Sequence, residues 1–132
     1  MTAAEGGERR KNPRRALGEL GERLAAQHLQ AKGYRIRERN FRTREGEIDI
    51  VAELGDLLAF VEVRCRRGSR MGTAAESLTA AKQRRLVALA EAYGQAREGL
   101  PEQRRIDVIA VDLAPDGRLL SLQHIEGAVW AD

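Results

Sequence analysis

Apolar residues recur at the three- and four-residue spacing of an amphipathic helix in two segments of the chain. The first segment covers residues 17–32 and ends at Gly33, a common stop signal. Its apolar stripe consists of Leu17, Leu20, Leu24 and Ala31. The small residues Gly18, Gly21 and Ala25 lie beside that stripe, so we expect another element to approach this helix closely.

The second helical segment runs from residue 80 to about residue 97 and follows a polar loop. Thr79 precedes it and can serve as its N-cap. The inward positions of this segment are Leu86, Leu89 and Tyr93.

Five other segments have the alternating pattern or the short apolar runs of β-strands. They cover residues 34–42, 46–53, 57–65, 104–113 and 118–127. The arginine-rich first strand suits a sheet edge, whereas the nearly continuous apolar run at 104–113 suits a sheet centre. The predicted order is therefore helix, three strands, helix, two strands.

The length of 132 residues suits one domain with a hydrophobic core. We expect residues 1–16 to form a flexible basic tail and residues 17–132 to form that single domain. The tail has five basic and two acidic residues, a difference equal to the net charge of +3 of the whole chain. Such a tail can attract phosphates, although short basic tails also serve solubility alone.

No apolar run approaches the ~20 residues that cross a bilayer, and the N-terminus lacks the apolar core of a signal peptide. We therefore expect a cytoplasmic protein with no membrane partner. Cys65 is the one cysteine and alternates with Val61 and Val63, which favours a small buried apolar residue over a nucleophile. Each of the two histidines is expected to be structural or exposed.

The segment 46–67 contains acidic residues within two strands that flank a Gly55-Asp56 turn. A two-residue turn fixes the pairing of an antiparallel hairpin, so that paired residue numbers have a constant sum. This register sets Asp49 opposite Glu62 and Glu47 opposite Arg64. These four side chains share one face, and the other face is expected to carry Ile48, Ile50, Val61 and Val63.

Directly opposed carboxylates repel each other, so a cation is expected between Asp49 and Glu62. Hard oxygen ligands on a rigid sheet suit Mg²⁺ or Mn²⁺. The alternative is that Arg64 and other surface arginines neutralise the pair on a solvated face.

Asp49, followed thirteen residues later by Glu62-Val63-Arg64, resembles the signature of the PD-(D/E)xK nucleases. More closely, the chain resembles the YraN family of bacterial proteins, proposed to be endonucleases related to archaeal Holliday junction resolvases. The segments that carry the resemblance lie between Leu17 and Leu113 and read "LGELGERLAAQHLQAKGYRIRERNFRTREGEIDIVAE", "FVEVRCRR", "AAKQRRL" and "RRIDVIAV".

The resemblance implies an α/β fold of the restriction-endonuclease type, with a central mixed sheet between helices and an αβββαβ core. It implies that Asp49 and Glu62 bind the metal, with the Val63 carbonyl as a third ligand. Glu22 matches the acid of the first helix that completes the site in resolvase relatives, although it can equally form a surface ion pair. Whether the chain forms a homodimer, as junction-cutting relatives do, stays open.

Arg64 stands where the superfamily has lysine. Arginine cannot accept a proton from an attacking water, but it can hold a phosphate and stabilise developing charge. Either the metal acidifies its water without a lysine, or Lys82, which heads the inward stripe of the second helix, supplies one. Lys82 can also merely extend from the edge of the core.

Five further arginines flank the ends of the hairpin and could contact phosphates. They are Arg42, Arg44, Arg66, Arg67 and Arg70. Asp107 interrupts an apolar strand, and an ion pair with Arg104 or Arg105 is the one role we assign to it.

Three functions are compatible with these features. The first is a Mg²⁺- or Mn²⁺-dependent endonuclease acting on DNA, including branched or junction DNA. The second is a nucleic-acid-binding module that kept the fold and lost turnover, and the third is a protein-binding adaptor.

Overall fold

A computed structural model describes residues 12–68 and 78–129, and the predicted order of elements is confirmed. The two helices are α1 (Pro13–Ala31) and α2 (Ala80–Ala96). The five strands are β1 (Arg35–Thr43), β2 (Gly46–Leu54), β3 (Leu57–Arg67), β4 (Gln103–Leu113) and β5 (Leu119–Val129).

All five strands form one mixed sheet in the order β1-β2-β3-β4-β5. Short turns join antiparallel neighbours, whereas α2 crosses between β3 and β4, which are parallel. As predicted, β1 lies at an edge and β4 lies inside the sheet, where residues 106–111 are buried.

Each helix covers one face of the sheet. Alternate residues of β3 belong to different cores, with Val61 packed in the α1 core beside Ala25 and Phe60 packed in the α2 core beside Tyr93. The fold is therefore the expected three-layer α/β arrangement of the restriction-endonuclease type.

The first helix starts earlier than its pattern predicts. Asn12 caps it by accepting a hydrogen bond from the Arg14 N–H at 2.7 Å, and Pro13 occupies the first turn. The prediction that residues 13–16 belong to a flexible tail is therefore wrong, and residues 1–11 lie outside the described part of the chain. Within that part, neither helix is long and apolar enough to span a membrane.

The small-residue side of α1 makes the closest contact with the sheet. Gly21, Ala25 and Leu29 are buried, whereas the predicted stripe of leucines is only partly buried and Ala31 is exposed. A methyl group at Gly21 would lie 2.7 Å from Cys65 Cβ, so only glycine permits this approach.

Candidate metal and nucleic-acid site

The register of the β2–β3 hairpin is the predicted one, but its ladder is shorter. Pairing runs from Leu54 and Leu57 at the turn to Ile50 and Val61, where it ends. Asp49 and Glu62 are therefore not a ladder pair, which corrects that prediction. Instead, the Asp49 carboxylate accepts a hydrogen bond from the Val63 N–H at 2.7 Å. The side chain of Asp49 thus occupies the gap between the two strands.

The alternation of side chains in β2 also breaks at Asp49. Ile50 packs in the α1 core, but Ile48, predicted to share its face, packs in the α2 core with Val51. Asp49 lies at this change of face and lines cavities on both sides of the sheet.

The larger of these two cavities lies between α1 and β3 and has a volume of about 750 Å³. Asp49 and Glu22 contribute its acidic groups, and its basic groups are Arg14, Arg64, Arg66 and Arg67. We call it the α1 cavity. Three of these four arginines belong to β3, so one strand supplies most of its positive charge.

The smaller cavity, the α2 cavity, has a volume of about 220 Å³. Its polar residues are Glu47, Asp49, Glu62, Arg64, Lys82 and Arg85. The predicted residues Asp49, Glu62, Arg64 and Lys82 therefore converge here, whereas Glu22 lines the α1 cavity. Arg85, one helical turn after Lys82, was not predicted, although its i+3 spacing gave the signal.

Burial dominates the electrostatics of the two central acids. Asp49 is 9% exposed, and burial together with the charge of Glu62 raises its pKa to about 8. Burial also raises the pKa of Glu62, against the attraction of Arg64 and a hydrogen bond from Asp49. Burial and the proximity of the two carboxylates therefore both favour binding of a proton by the pair.

Ion pairs in the hairpin differ from the predicted cross-strand pattern. Arg64 contacts Glu62 at 3.3 Å on its own strand, and Glu47 contacts Arg42 on β1 at 3.3 Å. Lys82 lies in the first turn of α2, where its N–H bonds to Thr79 at 3.2 Å, and its charge favours ionised Glu62. The predicted helix cap is confirmed.

Glu22 reaches the α1 cavity from the helix. Asn40 donates a hydrogen bond to it at 3.2 Å, and Arg39 forms an ion pair with it at 3.5 Å. Asn40 has a positive φ of 57°, a conformation that asparagine tolerates better than most residues. Glu22 and Asp49 line the same cavity, and the charge of Glu22 contributes to the raised pKa of Asp49. Within residues 12–68 and 78–129, no group of three His, Cys, Asp or Glu side chains is close enough to hold a metal by itself.

Comparison with known proteins identifies the family. The profile of the family described as "Uncharacterised protein family UPF0102" matches residues 21–111. The chain belongs to the UPF0102 (YraN) family. A UPF0102 protein of Symbiobacterium thermophilum is 53% identical over 105 residues, covering 80% of this chain and 89% of the relative. One of Chloroflexus aurantiacus is 49% identical over 122 residues, covering 91% and 98%, respectively.

The segment matched by the UPF0102 profile contains all the predicted catalytic residues, namely Glu22, Asp49, Glu62, Arg64 and Lys82. Arg14 and all of β5 lie outside it. The α1 cavity of this UPF0102 protein is thus formed partly by residues beyond the matched segment.

The predicted phosphate-contacting arginines of this UPF0102 protein do not form one cluster. Arg66 and Arg67 line the α1 cavity, Arg42 pairs with Glu47, and Arg44 is exposed in the β1–β2 turn. Arg70 lies outside the described residues. Arg14 also lines the α1 cavity and was not predicted, because it fell in the segment assigned to the tail.

A second buried polar group of this UPF0102 protein surrounds Asp107 on β4. Arg105 binds the fully buried Asp107 carboxylate with two hydrogen bonds of 2.7 and 2.8 Å, which confirms one predicted ion pair. His124 and the Gly127 N–H contact it at 2.9 and 3.0 Å. These bonds lower the pKa of Asp107 to about 2 despite burial. The histidine is buried and belongs to this network, which joins β4 to β5.

Cys65 packs against the α1 core, and burial raises the pKa of its thiol. Cys65 is only partly buried and lines the α1 cavity, so the predicted burial is not complete. Its raised pKa nevertheless favours an apolar role, since a nucleophilic thiol needs a lowered pKa.

Proposed function

We propose that this protein is a Mg²⁺- or Mn²⁺-dependent endonuclease that hydrolyses phosphodiester bonds of DNA, branched DNA included. The observation that carries the proposal is the pair formed by the buried Asp49 and the partly buried Glu62, located where β2 and β3 separate and where two cavities lined by basic side chains meet. Buried acids with raised pKa values in a cleft are typical of functional sites.

The donor groups fit a hard divalent cation. Mg²⁺ is usually bound by one or two carboxylates, with waters and substrate phosphate in its other positions. Asp49 and Glu62 would supply the two carboxylates, and the Val63 carbonyl would add a third protein oxygen. A cation of this kind acidifies bound water and polarises a phosphoryl oxygen.

Two cationic side chains bind the phosphate in this proposal. Arg64 reaches both cavities, so its guanidinium can hold a phosphate from either face and stabilise the charge that develops on it. Lys82 approaches from α2 and can bind the same phosphate. Since a guanidinium stays protonated, Arg64 does not act as a base.

The Arg64–Glu62 ion pair supports a second candidate function. A guanidinium 3.3 Å from Glu62 neutralises the carboxylate that a metal would use. This arrangement also suits a DNA-binding module without turnover.

Cleavage assays separate the two functions. Duplex, single-stranded and branched DNA are incubated with Mg²⁺ or Mn²⁺, and we expect products with the native protein but not with Asp49→Ala or Glu62→Ala. Asp116→Ala, in an exposed turn, is the matched control and should cleave normally. Cleavage that persists in both site variants contradicts a nuclease centred on this pair.

Arg64→Lys tests the departure from the superfamily signature. A large gain in cleavage from an inactive native chain supports the binding module, because lysine then restores a damaged site. Unchanged or reduced cleavage indicates that Arg64 or Lys82 already serves the reaction.

A further inference from the structure

Gly18 lies inside α1 without a packing reason. Glycine is the least favourable residue of a helix interior after proline, and close contact usually accounts for it, as at Gly21. Apart from the neighbouring residues and backbone of its own helix, no heavy atom of the described residues lies within 4 Å of the position that a methyl group at Gly18 would occupy. The position nevertheless lines the α1 cavity. The missing side chain therefore keeps this cavity open.

The wall around this opening is suited to an anion. Arg14 enters from the first turn of α1, and Arg66 and Arg67 enter from the end of β3. Arg67 is positioned by its Nε, which donates to the Pro115 carbonyl at 2.9 Å. Together with Arg64, these side chains outnumber the two carboxylates of the cavity, Glu22 and Asp49.

The size of the cavity matches a short stretch of nucleic-acid backbone. A volume of about 750 Å³ corresponds to a linear dimension of about 9 Å. Along the axis of B-form DNA the phosphates of one strand recur every ~3.4 Å, but the strand winds around that axis, so neighbouring phosphates lie farther apart and about two fit in this length. Asp49, beside which a scissile phosphate would lie, is one of the lining residues of this cavity.

We propose that the α1 cavity binds the sugar–phosphate backbone of the DNA strand that continues from the scissile phosphate. Arg14, Arg66 and Arg67 together contact the neighbouring phosphates that the cavity holds, and Gly18 lets the strand approach the helix. This inference rests on the proposed function for the position of the scissile phosphate, but the cavity binds DNA whether or not the site turns over.

Metal-free binding tests it separately from catalysis. The full chain is titrated against a short fluorescein-labelled DNA duplex in EDTA, and anisotropy gives the affinity over a salt series. Gly18→Leu fills the cavity without changing charge, so we expect affinity to fall about ten-fold or more, equivalent to about 1.4 kcal/mol or more. Ala16→Leu, at an exposed site on the same helix, is its control and should bind as the native chain does.

Salt dependence identifies the phosphate contacts. Arg14→Gln should reduce the slope of log K against log salt by about 1, the value for one lost phosphate contact. Arg118→Gln makes the same charge change at a side chain that is 71% exposed and does not line the cavity, and it should leave the slope unchanged. Circular dichroism checks that each variant is folded.

The inference is overturned if Gly18→Leu binds as tightly as Ala16→Leu, or if Arg14→Gln and Arg118→Gln have the same slope. Lack of cleavage by the native chain, with both binding effects intact, contradicts the nuclease and leaves this DNA-binding cavity supported.

Discussion

Asp49→Asn should stabilise the protein at neutral pH while abolishing cleavage. Burial and Glu62 raise the pKa of Asp49 from 3.8 to about 8. Between these values the folded protein retains a proton that the unfolded chain has lost. Stability therefore falls as pH rises through this window, because the folded state binds more protons than the unfolded state.

The magnitude follows from that pKa difference. Each unit of pH in the window costs 1.36 kcal/mol, so at about pH 7 the native carboxyl lowers the free energy of unfolding by about 4 kcal/mol. Asparagine has nearly the same size, carries no charge and can still accept the Val63 hydrogen bond. We therefore expect Asp49→Asn to raise the free energy of unfolding by an amount approaching about 4 kcal/mol at about pH 7 and by almost nothing at about pH 4.

Urea unfolding in EDTA at the two pH values measures this difference. Asp116→Asn serves as the control, because Asp116 lies in an exposed turn, and its effect should not change between the two conditions. An Asp49→Asn effect that is equal at both pH values, or destabilising at neutral pH, refutes the electrostatic account of the pair.

Three further predictions concern glycine packing, metal binding and the Asp107 network. Gly18→Ala should stabilise the fold by about 0.5–1 kcal/mol in urea unfolding. Gly21→Ala should destabilise it by about 1–3 kcal/mol, because its methyl group overlaps Cys65. Differential scanning fluorimetry provides a second measurement, and equal effects of the two variants would contradict the packing described. Mn²⁺ at about 100 times its Kd should stabilise the native chain by about 2.7 kcal/mol but not Glu62→Ala, and equal stabilisation would locate the metal elsewhere. Asp107→Asn should lower the free energy of unfolding by about 3–5 kcal/mol, measured with urea, because Arg105 loses its buried partner. This difference should shrink as pH falls from about 4 towards 2, since the native carboxylate has a lowered pKa and becomes protonated there. A difference independent of pH would show that this charge is not what stabilises the network.

Local sequence signals determined most of the fold. The register of the hairpin was predictable because a two-residue turn leaves no freedom in pairing, and Gly55-Asp56 is such a turn. The earlier start of α1 was also readable, since Asn12 followed by Pro13 is an N-cap signal that the charge of the segment obscured.

Other features depend on contacts that no local pattern encodes. Ile48 changes face because the Asp49 side chain bonds to Val63 in place of a continued ladder, a tertiary event that strict alternation cannot anticipate. Likewise, Asp107 meets His124 and Gly127 through an irregular β4–β5 register, with a shift between Ile106 and Val108.

Because the alternation of side chains breaks at Asp49, the site also depends on the packing of both helix layers against the sheet. Its neighbours Ile48 and Ile50 are anchored in opposite cores, so each helix layer fixes one side of the carboxylate. Local opening of either layer would leave a sheet in which Asp49 is rehydrated and no longer held beside Glu62. A partly folded chain, during synthesis or after damage, therefore carries the acidic residues but not the assembled pair.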